Sequence, residues 1–351
     1  MFLPVNNTQA KPAMPPDSGF SESDWNVLST FWHPVALSSE VTDKPAGVRL
    51  LDVPVVLYRT PEGVKAARDV CSHRGAKLSL GSIKDGLLVC GFHGFHYDCA
   101  GVCVRIPALP PGSPVPGKLR LQTYLCTERY GFVWVCLAST PRADLPEWPA
   151  IENGSGTVAV VPVSTWQSSA ARHVENFNDI CHVPWVHTGT FGGPEEAIAP
   201  YDVSISETRL SFQADVTEQV RYADNANSDA APVYRHAVYS YELTLPFASS
   251  VKVFDPKTGH VYRIYDIASP VSARSTRIFQ VVVDESRLTP AEVLIDFTMR
   301  INAEDAPQVE AQSPNQLPLD LRDEIHIPAD RMSIEYRRAL ARLGLGEQAV
   351  S

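Results

Sequence analysis

Four residues in the first third of the chain could hold a metal centre. They are Cys71-Ser-His73 and, after sixteen intervening residues, Cys90-Gly-Phe-His93. Each pair joins one sulfur to one ring nitrogen and lies near a Gly-rich turn, so two loops can supply four ligands. A zinc site of two Cys and two His uses the same residue types. Spacing argues against it, because Cys-x-His is too tight for the usual zinc knuckle. A two-iron, two-sulfide centre in which one iron takes two thiolates and the other two imidazoles matches better, each loop giving one ligand to each iron. Gly75, Gly91 and Gly94 allow the backbone to approach such a centre and aim N–H groups at its sulfurs.

A second concentration of donors runs Glu175-Asn176-Phe-Asn-Asp179-Ile-Cys-His182-Val-Pro184-Trp-Val-His187. Two His five apart sit about 140° apart on an ideal helix, at roughly 100° per residue. One straight helix would not aim both at one ion, but Pro184 breaks the ladder between them and lets the rings converge. With a carboxylate they would form a facial triad that holds Fe(II) and leaves positions for O₂ and substrate. Taken alone, the pair is read equally well as two packed His; the cluster pattern upstream favours the metal.

The elements that must position these residues form two groups. From Trp32 to Cys136, short apolar runs (VRLLDVPVVLYRT, VKAARDVC, LLVCGFHGFHYD, YGFVWVCLA) alternate with turns such as PALPPGSPVPG, the pattern of a small β domain. PRADLPEWP reads as a linker. Beyond it come strand-like VAVVPVSTW, a helix at Ala170–Asp179, long alternating stretches of an antiparallel sheet, and helices at Thr289–Gln312 and Ala329–Leu343. The expected class is α+β: a mobile arm over 1–22, an all-β cluster domain over 23–140 and a catalytic domain over 141–351.

A formal charge of −10 over 351 residues argues against nucleic acid as the main partner. MFLPVNNTQAKPAMPPDSG lacks the basic and apolar regions of a signal peptide, and the longest apolar run, Gly131–Ala138, is strand-sized. A cytoplasmic protein without membrane contact is expected. The seven cysteines are an odd count in that setting, so metal ligation or packed thiols is expected in place of a disulfide framework.

From Cys71 to Pro107 the chain resembles the Rieske domain of ring-hydroxylating and demethylating oxygenases. It departs at Gly91, where the family usually has Pro, and at Phe95, where it has Trp; Gly91 is expected to loosen the loop slightly. Phe92 holds the place of the cysteine that clamps the loops in respiratory Rieske proteins, which favours the oxygenase branch. By this alignment His96 is a surface or supporting residue, and Cys99 and Cys103 are packed thiols. Asn176, Asp179, His182 and His187 match the family's N-x-x-D-x-x-H-x(4)-H motif. The resemblance implies that the two His bind iron, with Asn176 nearby. It further implies that Asp179 meets a cluster His of a neighbouring subunit and carries electrons between the metals. It also points to Asp305 as the third ligand, with Glu304 and Glu310 on the same segment as alternatives. The tail DEIHIPADRMSIEYRRALARLGLG is similar to that of the caffeine- and dicamba-type demethylases and toxin hydroxylases, and the likeness runs from about Trp32 to Gly346.

The resemblance implies a helix-grip-like catalytic domain, a Rieske [2Fe–2S] cluster, a mononuclear Fe(II) and a homotrimer. No Rossmann fingerprint, P-loop or flavin motif is present, so electrons are expected from a separate flavin/[2Fe–2S] reductase or a ferredoxin. The expected reaction is O₂-dependent hydroxylation of an aromatic or heterocyclic small molecule, with demethylation where the carbon bears N or O. An aromatic-ring dihydroxylating dioxygenase is the alternative. A Rieske electron carrier without catalysis has no need of Asp179, His182 and His187. The loop Gly189–Pro200 and the strands near Tyr234–Tyr241 and Val251–Phe254 are candidates for the pocket wall.

Overall fold

A computed structural model describes residues 13–154, 156–220 and 232–346. The chain forms two compact units that divide between Leu145 and Pro146, inside the Pro-rich linker.

The first unit is built on a six-stranded antiparallel sheet in the order His33–Leu37, Phe132–Cys136, Thr123–Arg129, Gly63–Arg68, Val53–Thr60 and Ala46–Leu50. A smaller four-stranded sheet (Ser82–Lys84, Leu87–Val89, His96–Tyr97, Cys103–Arg105) carries the second candidate ligand loop as a hairpin connection, with Val89 paired to His96. The run VRLLDVPVVLYRT is a hairpin, not one strand. It turns at Leu51 and Asp52, whose φ values of 50° and 65° are unusual without Gly. The turn is held from outside: the Leu51 carbonyl accepts the Trp25 indole N–H at 2.9 Å, and Asp52 accepts from Ser18 Oγ at 3.0 Å and Gly19 N at 3.1 Å. Those bonds pin part of the expected N-terminal arm; its residues 1–12 lie outside the described residues. A helix, Glu22–Leu28, follows behind a Ser21 N-cap, where none was expected.

The second unit is an antiparallel sheet running Thr157–Val160, Ser275–Asp284, Val261–Ser272, Ala248–Phe254, Val233–Thr244, Arg209–Val220 and Ser204–Ile205, with Ser164–Trp166 also paired to Ser275–Asp284. The helix Ala291–Glu310 presents Leu294, Thr298, Asn302, Asp305 and Val309 as a buried stripe at helical spacing. Leu294 packs against Ala159, Val161 and Val282 of the sheet. The helix Ala170–Phe177 is fixed to the tail helix Arg331–Arg342 by charge. Arg172 donates to Glu324 Oε1 at 2.6 Å and Arg337 Nε to Glu175 Oε1 at 2.7 Å, with both guanidiniums buried. Buried Arg tolerates this because each finds a carboxylate. No helix of the described residues is long and apolar enough to cross a membrane.

Candidate active site

The two loops of the first unit share one backbone pattern. Cys71 N donates to Ala76 O at 2.8 Å and Gly75 N to Cys71 O at 2.9 Å; Cys90 N donates to Phe95 O and Gly94 N to Cys90 O, both at 2.9 Å. Gly75 and Gly94 close the two turns with φ of 73° and 66°, which glycine adopts without strain. Gly91 is packed close: a Cβ there would lie 2.8 Å from the Leu80 carbonyl, so the position is constrained, not loose.

Cys71 and Cys90 lie in the core, 3% and 2% exposed, whereas His73 and His93 face solvent with ring centroids 4.8 Å apart. His73 stacks on Phe95 at 4.5 Å, the place of the family's Trp. Tyr97 Oη lies 3.1 Å from Cys71 Sγ and 3.0 Å from Ser72 Oγ. Burial pushes the Cys71 thiol up, the Tyr97 contact offsets part of that, and Cys90 beside it raises it further. Two adjacent buried sulfurs become thiolates only where cations neutralise them. The donor set thus fits a centre that takes two thiolates inside and two imidazoles at the surface. His96 is buried, not at the surface; its Nδ1 lies 2.6 Å from the Gly94 carbonyl, bracing the loop. Cys103 is packed as expected, but Cys99 is exposed.

In the second unit the helix Ala170–Phe177 ends at Asn178, and the two His flank a separate single turn, Val183–Val186. Pro184 lies in the first turn of that element and interrupts no longer helix. His182 is its N-cap and His187 its C-cap, so both side chains leave from the ends and converge, Nε2 to Nε2, at 3.2 Å. Asp305 Oδ1 lies 3.5 Å from His182 Nε2 and 3.2 Å from His187 Nε2. That oxygen is buried without a hydrogen-bond partner in good geometry, as expected of an atom placed for a cation. Each residue offers one ligand atom, all within 4.8 Å of one another. Glu310 is occupied elsewhere, accepting Gln167 N at 2.7 Å.

Both imidazoles are oriented from behind. Asp179 Oδ2 is 3.1 Å from His182 Nδ1, and Asp179 also accepts the backbone N–H of Cys181 at 2.9 Å and of His182 at 3.2 Å. Glu304 Oε2 lies 2.8 Å from His187 Nδ1 and is steadied by Thr190 Oγ1 at 2.6 Å. Glu304 is therefore not aimed with Asp305 but supports the far side of His187. Burial would lower the pKa of His182, but Asp179 and Asp305 outweigh it and push it up to about 9. Burial likewise opposes ionisation of Asp305, yet the two imidazoles hold it well below the usual carboxylate range. So strong a stabilisation of positive charge marks a place suited to a metal cation. A buried chain, His173 Nε2 to Asp266 Oδ1 at 2.8 Å, Gln280 to Asp266 at 2.8 Å and Asn302 to Gln280 at 2.7 Å, ties helix 170–177 to helix 291–310 through the sheet. The helix that leads into the His-bearing turn and the helix that carries Asp305 are thereby set on one frame.

The three ligand atoms open into a cavity of about 730 Å³, the size of a small-molecule site. Asn176 and Asp179 line it, as do Phe177, Phe191, Tyr241 and Phe297. Of the expected wall, Arg235, Tyr239 and Tyr241 contribute from the first stretch and Val251 and Val253 from the second, while Tyr234 is exposed because strand residues alternate. The loop Gly189–Pro200 supplies only Phe191; half of it borders a separate cleft of about 100 Å³.

Comparisons with known proteins agree with this geometry. Residues 31–125 match the Rieske [2Fe-2S] domain and residues 166–345 the vanillate O-demethylase oxygenase C-terminal domain. Methylxanthine N1-demethylase NdmA of Pseudomonas putida is 32% identical over 90% of this chain and 89% of its own length. The N3-demethylase NdmB of the same organism is 30% identical at the same coverage. The structure of NdmA with caffeine superposes with a TM-score of 0.80, 30% identity and coverage of 92% of this chain and 93% of that one. Dicamba monooxygenase, at 20% identity and a TM-score of 0.74 over 90% of this chain and 97% of that one, shares the fold. The chain belongs to the Rieske non-haem iron oxygenases, in the branch of monooxygenases and demethylases with a vanillate O-demethylase-type C-terminal domain, and its cofactors are a Rieske [2Fe–2S] cluster and a mononuclear iron.

Proposed function

We propose that this chain is the terminal oxygenase of a multicomponent system that hydroxylates a C–H bond of an aromatic or heterocyclic small molecule. Where the carbon carries N or O, the hydroxylated product loses formaldehyde and the net result is demethylation. In this reading Cys71, His73, Cys90 and His93 hold the cluster, and His182, His187 and Asp305 hold the iron. The convergence of those last three ligand atoms at one end of an aromatic-walled cavity carries the reading.

The bound iron supplies O₂ activation beside the substrate. The chain's own residues do the rest. Asp179 and Glu304 each accept the Nδ1 proton of one imidazole, which leaves both Nε2 lone pairs facing the metal. Phe177, Phe191 and Tyr241 present faces to a flat substrate and exclude water around the reacting carbon. Electrons come from a separate NAD(P)H-dependent reductase or ferredoxin, which places the reaction in the cytoplasm. Asp179, 28% exposed while holding His182, is suited to receive them from the cluster of a neighbouring subunit. Such a relay makes a head-to-tail ring, here a homotrimer.

The test uses anaerobically metal-loaded protein with a generic reductase, NADH, O₂ and a panel of methylated and unmethylated aromatics. Formaldehyde, or a product with one oxygen atom from O₂, is expected. A cis-diol with two added oxygen atoms would move the chain to the dioxygenases.

A further inference from the structure

The strand Arg209–Val220 sends alternate residues inward: Leu210, Phe212, Ala214, Val216, then Glu218. A carboxylate on the core face of an alternating strand needs a partner. Directly across in register stands Arg235. Its Nε and Nη2 both donate to Glu218 Oε1, at 2.6 and 2.5 Å, and its Nη1 lies 3.6 Å from Asp255 Oδ2. Tyr239 donates its hydroxyl to the other oxygen of Glu218. Glu218, Arg235 and Tyr239 all line the substrate cavity, and Glu218 is 5% exposed.

The guanidinium that faces the cavity is thus taken by two carboxylates, Glu218 and Asp255, and their trio carries net negative charge. Among the described lining residues, the carboxylates Asp179, Glu218, Asp296 and Asp305 face the guanidiniums Arg235 and Arg300. A ferrous ion at the triad would bring that balance to neutral. Arg300 is exposed, one helical turn from Asp296, and donates to the Gly189 carbonyl at 3.2 Å. Tyr239 lines the cavity and spends its hydroxyl hydrogen on Glu218, so its oxygen is left to accept from a ring N–H or hydroxyl.

We propose that Glu218 sets specificity by occupying Arg235, so that the site selects neutral, flat heteroaromatic or aromatic substrates and rejects aromatic carboxylates. This deepens the oxygenase reading and rests on its placement of the substrate. A carboxylate that enters must shed its hydration, and among the described lining residues Arg235 is already held by carboxylates while the exposed Arg300 is turned to the Gly189 carbonyl. A neutral ring sheds little and gains the aromatic walls and the Tyr239 acceptor.

Meta-methoxybenzamide and meta-methoxybenzoate are nearly isosteric and differ in charge. Calorimetric titration of both into the metal-loaded protein should show the amide binding about tenfold tighter or more. Glu218→Gln frees Arg235 and should improve benzoate binding about tenfold relative to the amide; Asp255→Asn should shift the ratio the same way by less. Benzoate binding as tight as the amide in the unaltered protein overturns the proposal. So does a ratio unmoved in both variants, and so does no binding of either probe to any of the three proteins. If Glu218→Gln does not fold, Asp255→Asn decides alone. Formaldehyde release is measured on the same samples. Amide selectivity without turnover would count against the oxygenase reading and leave the charge selection standing.

Discussion

At the residue scale, the adjacent acids Glu304 and Asp305 divide the work around the proposed iron site. Neighbouring residues on a helix point about 100° apart, so one can reach the metal position while the other passes behind His187. Asp305→Ala should lose mononuclear iron and keep the cluster's visible spectrum; retained iron would move the ligand assignment elsewhere. Glu304→Ala should weaken iron binding about 10- to 100-fold, as loss of the partner of a ligating His does. Glu304→Gln, which still offers an acceptor to Nδ1, should recover most of it. Equal losses in both variants would mean that the charge of Glu304 matters and its orienting bond does not. Asp179→Asn should keep both metals and lose most turnover, and undiminished turnover would remove its part in electron transfer. The Cys and His proposed for the two centres stand out in the sequence because metal ligation demands particular atoms at short spacing. The work of Glu304 was not, because its partner lies 117 residues away and nothing local distinguishes it from a solvated acid.

At the element scale, the loops and strands explain which expectations held. Alternation identified the long strands of the second unit, yet Glu218 on the inward face was passed over. Its compensation by Arg235 depends on strand pairing, which spacing within one strand does not reveal. The Leu51–Asp52 turn escaped notice because Leu rarely takes positive φ and no Gly marks the place; Trp25 and Ser18, distant in sequence, bond to it. Gly94 tests how tightly a cluster loop is built. Its φ is 66°, and an added Cβ would meet Pro107 Cγ at 3.1 Å. Gly94→Ala should therefore destabilise the first unit by about 1 kcal/mol or more, since a side chain resists the left-handed region. Thermal bleaching of the cluster's absorption should come several degrees earlier, and an unchanged bleaching temperature would mean the loop adapts freely.

At the scale of the whole molecule, assembly is what the proposed relay requires, and the surface suggests how it is met. Around the exposed cluster histidines, Phe92 is 65% and Leu80 77% exposed. Beside Asp179 and His182, Trp185 is 64% exposed. Large apolar side chains in water near both ends of an electron path are what a head-to-tail contact would cover. Such an interface joins two different patches and can close into a ring; the homotrimer proposed above should have a mass of about 115 kDa from chains of 38.5 kDa. Light scattering checks this directly. Phe92→Lys should spoil one patch and Trp185→Lys the other, each giving monomers that keep both metals but turn over slowly. Mixing the two variants separates a head-to-tail contact from a symmetric one. In the mixture the intact cluster patch of Trp185→Lys can meet the intact Asp179 face of Phe92→Lys, so one working interface per pair should return part of the activity. A symmetric interface would bring each spoiled patch against its counterpart and restore nothing. Dimers with partial turnover would support electron transfer between subunits, and an inactive mixture of monomers would count against it.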